Sequence, residues 1–186
     1  VNVTISGNSG DSGGGIYLGG SSPSLVNVTI SGNSAGNGSG IYLEDSSPNL
    51  VNVTIKDGIS CANNSNPSFV NSILWGGSIN ISDGSVTATY SDIQGGYEGE
   101  GNIDADPSFV DAENGDFHLS NYSPAIGTGT ATGAPTTDIE GNPRPNPAGS
   151  NPDMGAYENP LAAPAEHIVI TNDTLVVLED SSSTID

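Results

Sequence analysis

VNVTI occurs at residues 1–5, 26–30 and 51–55, and a close variant, VNSIL, follows at 70–74. In each VNVTI copy the first, third and fifth residues are apolar, and the two residues between them are Asn and Thr. Strict alternation of this kind is typical of a β-strand that buries one of its faces. A strand-like pentapeptide that returns at a fixed interval predicts a solenoid, in which successive copies of the strand stack on one another.

The repeat is longer than the pentapeptide. Residues 1–25 align without gaps on residues 26–50, with 18 of 25 positions identical, and the third copy is shortened to 19 residues. Each full copy also contains the run GIYL and the run SSPSL or SSPNL. Clusters of Gly, Asn and Ser, which break helices, separate these runs. Three short strands per copy form one rung of a parallel β-helix, with rungs about 4.8 Å apart. We therefore predict an all-β, parallel β-helix, and we take its right-handedness from the general bias of this architecture.

Stacking is expected to place the apolar residues of VNVTI in internal columns, because a single rung cannot bury its apolar face alone. A leucine-rich repeat and a calcium-binding nonapeptide roll fit less well, since neither of their sequence patterns is present. The predicted columns are Val1, Val26 and Val51; Val3, Val28 and Val53; and Ile5, Ile30 and Ile55.

Charge limits the partners that the chain can have. Twenty-two acidic residues against two basic ones give a formal net charge of −20, so we expect neither nucleic acid nor an anionic membrane surface as a partner. No apolar run approaches the length of a membrane span, and we expect a monomer without membrane insertion. The single cysteine, Cys61, excludes an intramolecular disulfide.

The second half of the chain carries a longer signature, DPSFVDAENGDFHLSNYSPAIGTGT…DIEGNPRP…DMGAYE. It resembles the C-terminal signature of bacterial choice-of-anchor Q domain proteins, and ISGNSG…GGGIYL is similar to the repeats of polymorphic outer-membrane proteins. The resemblance covers about residues 1–158 and implies a right-handed β-helix of the pectin-lyase-like class. It also implies an exported module of a secreted or cell-surface bacterial protein. We accordingly divide the chain into regular rungs (1–75), last rungs with an irregular cap (76–158), and a tail (159–186).

The tail differs from the repeat in composition. AAPA reads as a linker, and DTLVVLEDSSSTID resembles the first strand pair of a bacterial cadherin-like or immunoglobulin-like domain. We expect the chain to be a piece of a longer protein with further adhesive modules.

Catalytic groups are sparse on the outward positions of VNVTI. Sugar-cleaving β-helices need a base or paired carboxylates on that face, and here the residues are Asn, Thr and Ser. Lys56 beside Asp57 is the one charged couple, and a surface ion pair accounts for it. The alternating strand GDFHL holds a lone His118, which is poor evidence for a metal. Arg144, the only arginine, is expected to neutralise cap carboxylates such as Asp138, Asp153 or Glu158.

Residues 111–117, DAENGDF, concentrate Asp111, Glu113 and Asp116 in one loop. These carboxylates are the chain's calcium candidates, although their spacing does not match a calcium loop. A hairpin turn through Asn114 and Gly115 explains the same residues without metal. We expect no cofactor, with calcium as the one open alternative.

Three aromatic residues are candidate ligand contacts. Trp75 falls at an outward position in register with Lys56, and it either stacks on a sugar ring or packs under the cap together with Ile73. Tyr17 and Tyr42 stack outward on another face, as a packing ladder or as a binding strip for a ligand.

Three functions remain open from the sequence. The leading one is a non-catalytic stalk or adhesion module at the bacterial cell surface or outside the cell, with surface glycans or other cell-surface proteins as partners. The alternatives are a carbohydrate-binding or polysaccharide-processing module and a calcium-dependent structural repeat.

Overall fold

The structure is a computed structural model that describes residues 2–166 and, as backbone only, two further strands at 169–171 and 174–176. It is almost entirely β-structure, with one short 3₁₀ helix at Ala112–Asn114 among the described residues. The strands in chain order are β1 (Val3–Ser6), β2 (Ser9–Ser12), β3 (Ile16–Gly19), β4 (Ser24–Ser31), β5 (Ser34–Asn37), β6 (Ile41–Glu44), β7 (Asn49–Ile55), β8 (Ile59–Ala62), β9 (Ser68–Val70), β10 (Ile73–Leu74), β11 (Ile79–Ile81), β12 (Thr87–Thr89), β13 (Asp92–Ile93), β14 (Phe109–Asp111), β15 (Asp116–Leu119), β16 (Val169–Thr171) and β17 (Thr174–Val176).

Strands from successive repeats pair in parallel, and this confirms the predicted β-solenoid of stacked rungs. The first sheet runs β1-β4-β7-β10-β13, with β9 and β12 continuing beside it, and the second runs β3-β6-β8-β11. Equivalent residues of successive rungs lie 25 positions apart in the first two repeats and 19 positions apart in the rungs that follow, as the shortened third copy requires. A third, small sheet joins β2 to β5.

The columns of VNVTI are present in part. Val3 pairs with Val28 and Val28 with Val53, while Ile5, Ile30 and Ile55 pair in the same way. Val28, Val53, Ile30 and Ile55 are buried in the solenoid core, and Val3 at the first rung is 39% exposed.

The first apolar position of the motif follows the prediction in part. Val26 and Val51 pair in register and Val51 is buried, but neither belongs to the core cluster, where Leu25 and Leu50 pack. The reason is that the following Asn adopts a left-handed conformation (φ 52° at Asn27), which turns the chain and interrupts the alternation. Val1 lies outside the described residues.

Residues 97–103 cover the last rung. The Tyr97 ring packs against the solenoid core and its hydroxyl donates to the Val86 carbonyl at 3.1 Å. Ile103 bridges to Asp92 and donates its main-chain N–H to the Ser91 carbonyl at 2.9 Å. The edge of β13 at this end is thereby paired, which protects it from association with other chains.

The rest of the predicted cap lies elsewhere. The β14–β15 hairpin and residues 124–159, which we name the side segment, lie along the outward side of the first sheet. They do not sit on the end of the solenoid, as a cap over the last rung would. A second cluster, formed by Ile73, Leu119, Ala125, Ile126 and Met154, packs between them and the sheet.

In the tail, β16 and β17 form an antiparallel pair. His167 and the final residues lie outside the described part of the chain, so the start of a further domain stays a prediction.

Candidate functional site

The outward side of the first sheet, which we call the strand face, is covered by the side segment. Its Asn column holds the left-handed position in the second, third and fourth rungs (Asn27, Asn52 and Asn71), and each Asn side chain of the column donates to the main chain opposite. The bonds run from Nδ2 to a carbonyl oxygen: Asn2 to Asp138 (3.3 Å), Asn27 to Thr137 (2.8 Å), Asn52 to Asp153 (3.1 Å) and Gly155 (3.2 Å), and Asn71 to Thr130 (2.8 Å). The column thus ties the side segment to four successive rungs.

The Thr column beside it is covered at Thr29 and Thr54, whereas Thr4 in the first rung is exposed. Thr29 donates to Thr4 at 3.0 Å, and the main-chain N–H of Ala156 donates to Thr54 Oγ1 at 3.0 Å. The side segment comes so close that a Cβ on Gly155 would lie 2.8 Å from Thr54 Oγ1. Asn27, Thr29, Asn52 and Thr54 are consequently buried, although their sequence pattern predicts exposure.

Asp92 continues the Thr column in the last rung. Its side chain is fully buried, Oδ1 accepts the Ala105 N–H at 3.2 Å, and Oδ2 has no hydrogen-bond partner among the described residues. Burial, together with the nearby carboxylates of Asp104 and Asp106, raises the pKa of Asp92 to about 7.

Arg144 lies inside the side segment, as the sequence analysis expected for a neutralising role. Its Nε is 3.1 Å from Glu158 Oε2, with both side chains fully buried, and Nη1 donates to the Gly155 carbonyl at 3.0 Å. Burial lowers the pKa of Arg144, while the carboxylates of Glu158, Asp138 and Asp153 act in the opposite direction. One cation is therefore surrounded by three acids.

The three acids are held mainly by main-chain donors. Asp138 accepts N–H groups from Glu140 (2.9 Å) and Asn142 (2.8 Å), and Asp153 accepts the Gly127 N–H at 2.7 Å. Burial raises the pKa of Asp153 to about 6 and that of Glu158 to about 7. These bonds hold the irregular side segment in its folded form, so Asp138, Asp153 and Glu158 have a structural role.

Trp75 follows β10 and donates its main-chain N–H to the Ile55 carbonyl, which places it next to Lys56 in register. The ring is half-buried and packs against the second cluster, where Ile73 is fully buried. The structure thus places Ile73 and Trp75 under the side segment and the hairpin. Sugar stacking by Trp75 stays a prediction.

Tyr17 and Tyr42 stack on the outward side of the second sheet, with ring centroids 5.5 Å apart and planes at 21°. The Tyr17 hydroxyl bonds to Glu44, which raises the Tyr17 pKa. The next residue of the ladder is Ser60, whereas Cys61 is buried in the inward column behind Leu43. The two rings form a short ladder, and whether it binds a ligand is untested.

The calcium candidates lie on the predicted hairpin, whose tip contains the 3₁₀ helix and Gly115 in the left-handed conformation. Each carboxylate has a different partner: Asp111 accepts from Asn114, Glu113 pairs with Lys56, and Asp116 contacts His118. Among the described residues, no group of three or more His, Cys, Asp or Glu side chains is arranged to hold a metal ion.

His118 joins the hairpin to the side segment. Its Nδ1 is 2.6 Å from Asp116 and its Nε2 is 3.1 Å from Glu140, and its ring lies 4.3 Å from that of Tyr157. Burial lowers the pKa of His118, but the two carboxylates outweigh it and the net shift is upward.

The open depression in this region is a groove between the hairpin tip and the first three rungs. It measures about 620 Å³, and a second depression of about 380 Å³ adjoins it across Lys56 and Asp57. Lys56 Nζ lies 2.7 Å from Glu113 Oε1, with side-chain exposures of 28% and 89%. The sequence suggested Asp57 as the partner of Lys56, because nothing in the repeat indicates that the hairpin lies against this rung.

Asp57 has its own partners. Its oxygens accept the main-chain N–H groups of Gly32 and Asn33, both at 2.9 Å, and the Asn33 side-chain amide at 2.8 Å. Asn33 in turn accepts from Asn8 at 3.0 Å. This polar ladder fixes the turn between the first and third sheets.

No protein-family model, curated protein or solved structure matches this chain. Within the described residues no helix has the length and apolar character needed to cross a membrane.

Proposed function

We propose that this chain is a non-catalytic β-helical stalk or adhesion module of a secreted or cell-surface bacterial protein, of the choice-of-anchor type that its sequence resembles. The observation that carries the proposal is the side segment on the strand face. Sugar-cleaving β-helices need their catalytic groups on that face. Here the Asn and Thr side chains of the strand face bond to the side segment of the same chain.

The same contacts suit a load-bearing role. The side segment bonds to Asn2 in the first rung, to Asn27 and Asn52 in the next two, and to Asn71 in the fourth. Pulling the rungs apart along the solenoid axis must shear several of these bonds together. A solenoid stabilised only by nearest-neighbour contacts could instead open one rung at a time.

Single-molecule force spectroscopy on the full chain tests the proposal. We expect the rungs to yield in one cooperative event, and we expect Asn52→Ala to lower the rupture force. Stepwise opening at the same force in both proteins would contradict a load-bearing side segment. In parallel, release of reducing ends from neutral or acidic polysaccharides, if lost in Lys56→Met, would contradict the non-catalytic assignment.

A further inference from the structure

The groove beside Lys56 has the features of a ligand site that the load-bearing role does not use. One wall is the hydroxyl strip of Thr4, Ser6 and Ser31 from the first two rungs, and the other is the hairpin tip. The floor includes Gly7 and Gly32, where a Cβ would meet no atom within 4 Å, so the main chain is open to a ligand. Its volume of about 620 Å³ lies within the range of small-molecule sites.

We propose that this groove binds a neutral oligosaccharide, with the Lys56–Glu113 pair holding two adjacent hydroxyl groups of one sugar ring. An ammonium has three N–H donors, and Glu113 occupies one of them. The Glu113 carboxylate is 89% exposed and has free acceptor positions. Donor and acceptor lie 2.7 Å apart, so one sugar hydroxyl can accept from Lys56 while its neighbour donates to Glu113.

Charge selects against an anionic ligand. Asp57 also lines the groove, so two carboxylates stand against the single ammonium of Lys56. Glu113 already pairs with Lys56 and Asp57 adds a further negative charge, so the groove has no surplus positive charge to offer a uronate or a phosphate. The net charge of −20 acts in the same direction.

The length of the groove favours a chain of sugars over a single one. The adjoining depression of about 380 Å³ continues past Lys56 along the glycine-rich turns of the next rungs, through Gly58, Gly76 and Ser78. An oligosaccharide that crosses Lys56 would therefore contact both depressions. No aromatic ring in the described part of the chain lines either depression, so we expect a dissociation constant on the order of 1 mM.

The test is a titration of the isotope-labelled full chain with cellohexaose, maltohexaose and trigalacturonic acid, each up to about 20 mM. The readout is the chemical shift of the Gly32 and Gly115 amides, which line the groove and are present in every variant. We expect at least one neutral hexaose to shift both signals and trigalacturonic acid to shift neither. Binding of the acidic sugar alone, or of none of the three, would overturn the proposal.

Variants assign the binding to the pair. Lys56→Met should weaken binding at least ~10-fold, because a charge-assisted donor is lost. Glu113→Gln changes a highly exposed side chain and keeps the test valid if Lys56→Met fails to fold. The matched control, Glu44→Gln, alters the Tyr17 ladder on the second sheet and should bind like wild type.

Wild-type affinity in Lys56→Met or Glu113→Gln, or lost affinity in the Glu44 control, would overturn the assignment to this groove. The proposal goes beyond the load-bearing role, and the two can fail separately. A stalk without a ligand would still rupture cooperatively under force.

Discussion

Replacement of Asn52 by alanine should detach the side segment from the third rung. Asn52 Nδ2 donates to the carbonyls of Asp153 (3.1 Å) and Gly155 (3.2 Å) in a fully buried site. Both carbonyls also accept from Arg144 Nη1, so they keep a partner when the amide is removed. We therefore assign about 1 kcal/mol to each lost bond, the ordinary net value for a hydrogen bond.

Backbone conformation adds to this cost. Asn52 has φ 50°, a left-handed conformation that costs alanine ~1–2 kcal/mol and asparagine less. Asn52→Ala should thus lower the free energy of unfolding by about 3 kcal/mol. Asn52→Gly is the matched control, because glycine accepts this φ but loses the same side-chain bonds, including the long one that Asn71 donates to Asn52 at 3.4 Å. Allowing for its greater entropy loss on folding, we expect it to be ~0.5–1 kcal/mol more stable than the alanine variant.

Urea denaturation provides the assay, with Trp75 fluorescence reporting on the second cluster and far-ultraviolet circular dichroism on the solenoid. Wild type should show one transition by both probes, since the side segment and the rungs are interlocked. An alanine variant within ~0.5 kcal/mol of wild type would refute the reasoning, because the Asn column would then not hold the segment. Equal stability of the alanine and glycine variants would refute the backbone part alone.

Three further predictions concern buried acids and close rung contacts. Folding raises the pKa values of Asp92, Asp153 and Glu158 above those of the unfolded chain, so the folded state binds more protons between about pH 4 and 7. The free energy of unfolding should therefore fall as pH rises through that window. A melting temperature at pH 8 equal to or above that at pH 5.5 would contradict this. Asp92→Asn should stabilise the chain at pH 8 by a few kcal/mol and by about half as much at pH 5.5, measured by urea denaturation at both; a gain independent of pH would show that ionisation is not the cause. Gly84→Ala should lower the free energy of unfolding by about 2–4 kcal/mol, because its Cβ would lie 2.1 Å from a carbonyl oxygen of the preceding rung. Gly95→Ala, with open space at a similar positive φ, should lower it by about 1 kcal/mol, so the first variant should melt at the lower temperature.

The stacking of rungs could be predicted because the same alternation of apolar and polar residues, VNVTI, occurs three times. Identical residues at a fixed interval leave parallel in-register pairing as the simplest way to bury Val28 with Val53 and Ile30 with Ile55. Val26 and Val51 pair in register but lie outside the core cluster, and the cause is local, since alternation assumes an unbroken strand. An Asn between two valines is the signal that could have revealed the left-handed turn, because asparagine tolerates that conformation.

The position of the side segment could not be predicted from the repeat. Asn and Thr on the outward positions look like a solvated surface, and only long-range contacts such as Asn52 to Gly155, 103 residues apart, show that they are buried. The same holds for Lys56, whose partner Glu113 is 57 residues away on a hairpin of different sequence character. Periodicity describes contacts between equivalent residues, and these contacts join residues that are not equivalent.

Because the side segment covers most of the strand face, the solenoid must meet other molecules at the part that stays open, around Thr4, Ser6 and Ser31, or through its remaining surfaces. Of the side chains that the sequence marks as unusual, Arg144 and Ile73 are buried within the chain, and Trp75 is half-buried. Lys56 is the exception, because its ion pair is open to solvent on the Glu113 side and is worth at most about 1 kcal/mol there. A weak pair beside an open groove can offer its free donor and acceptor positions to a ligand at little cost, whereas the buried pair of Arg144 and Glu158 cannot. The chain's two basic residues thus have separate tasks: Arg144 holds the side segment in place, and Lys56 is the one available for recognition.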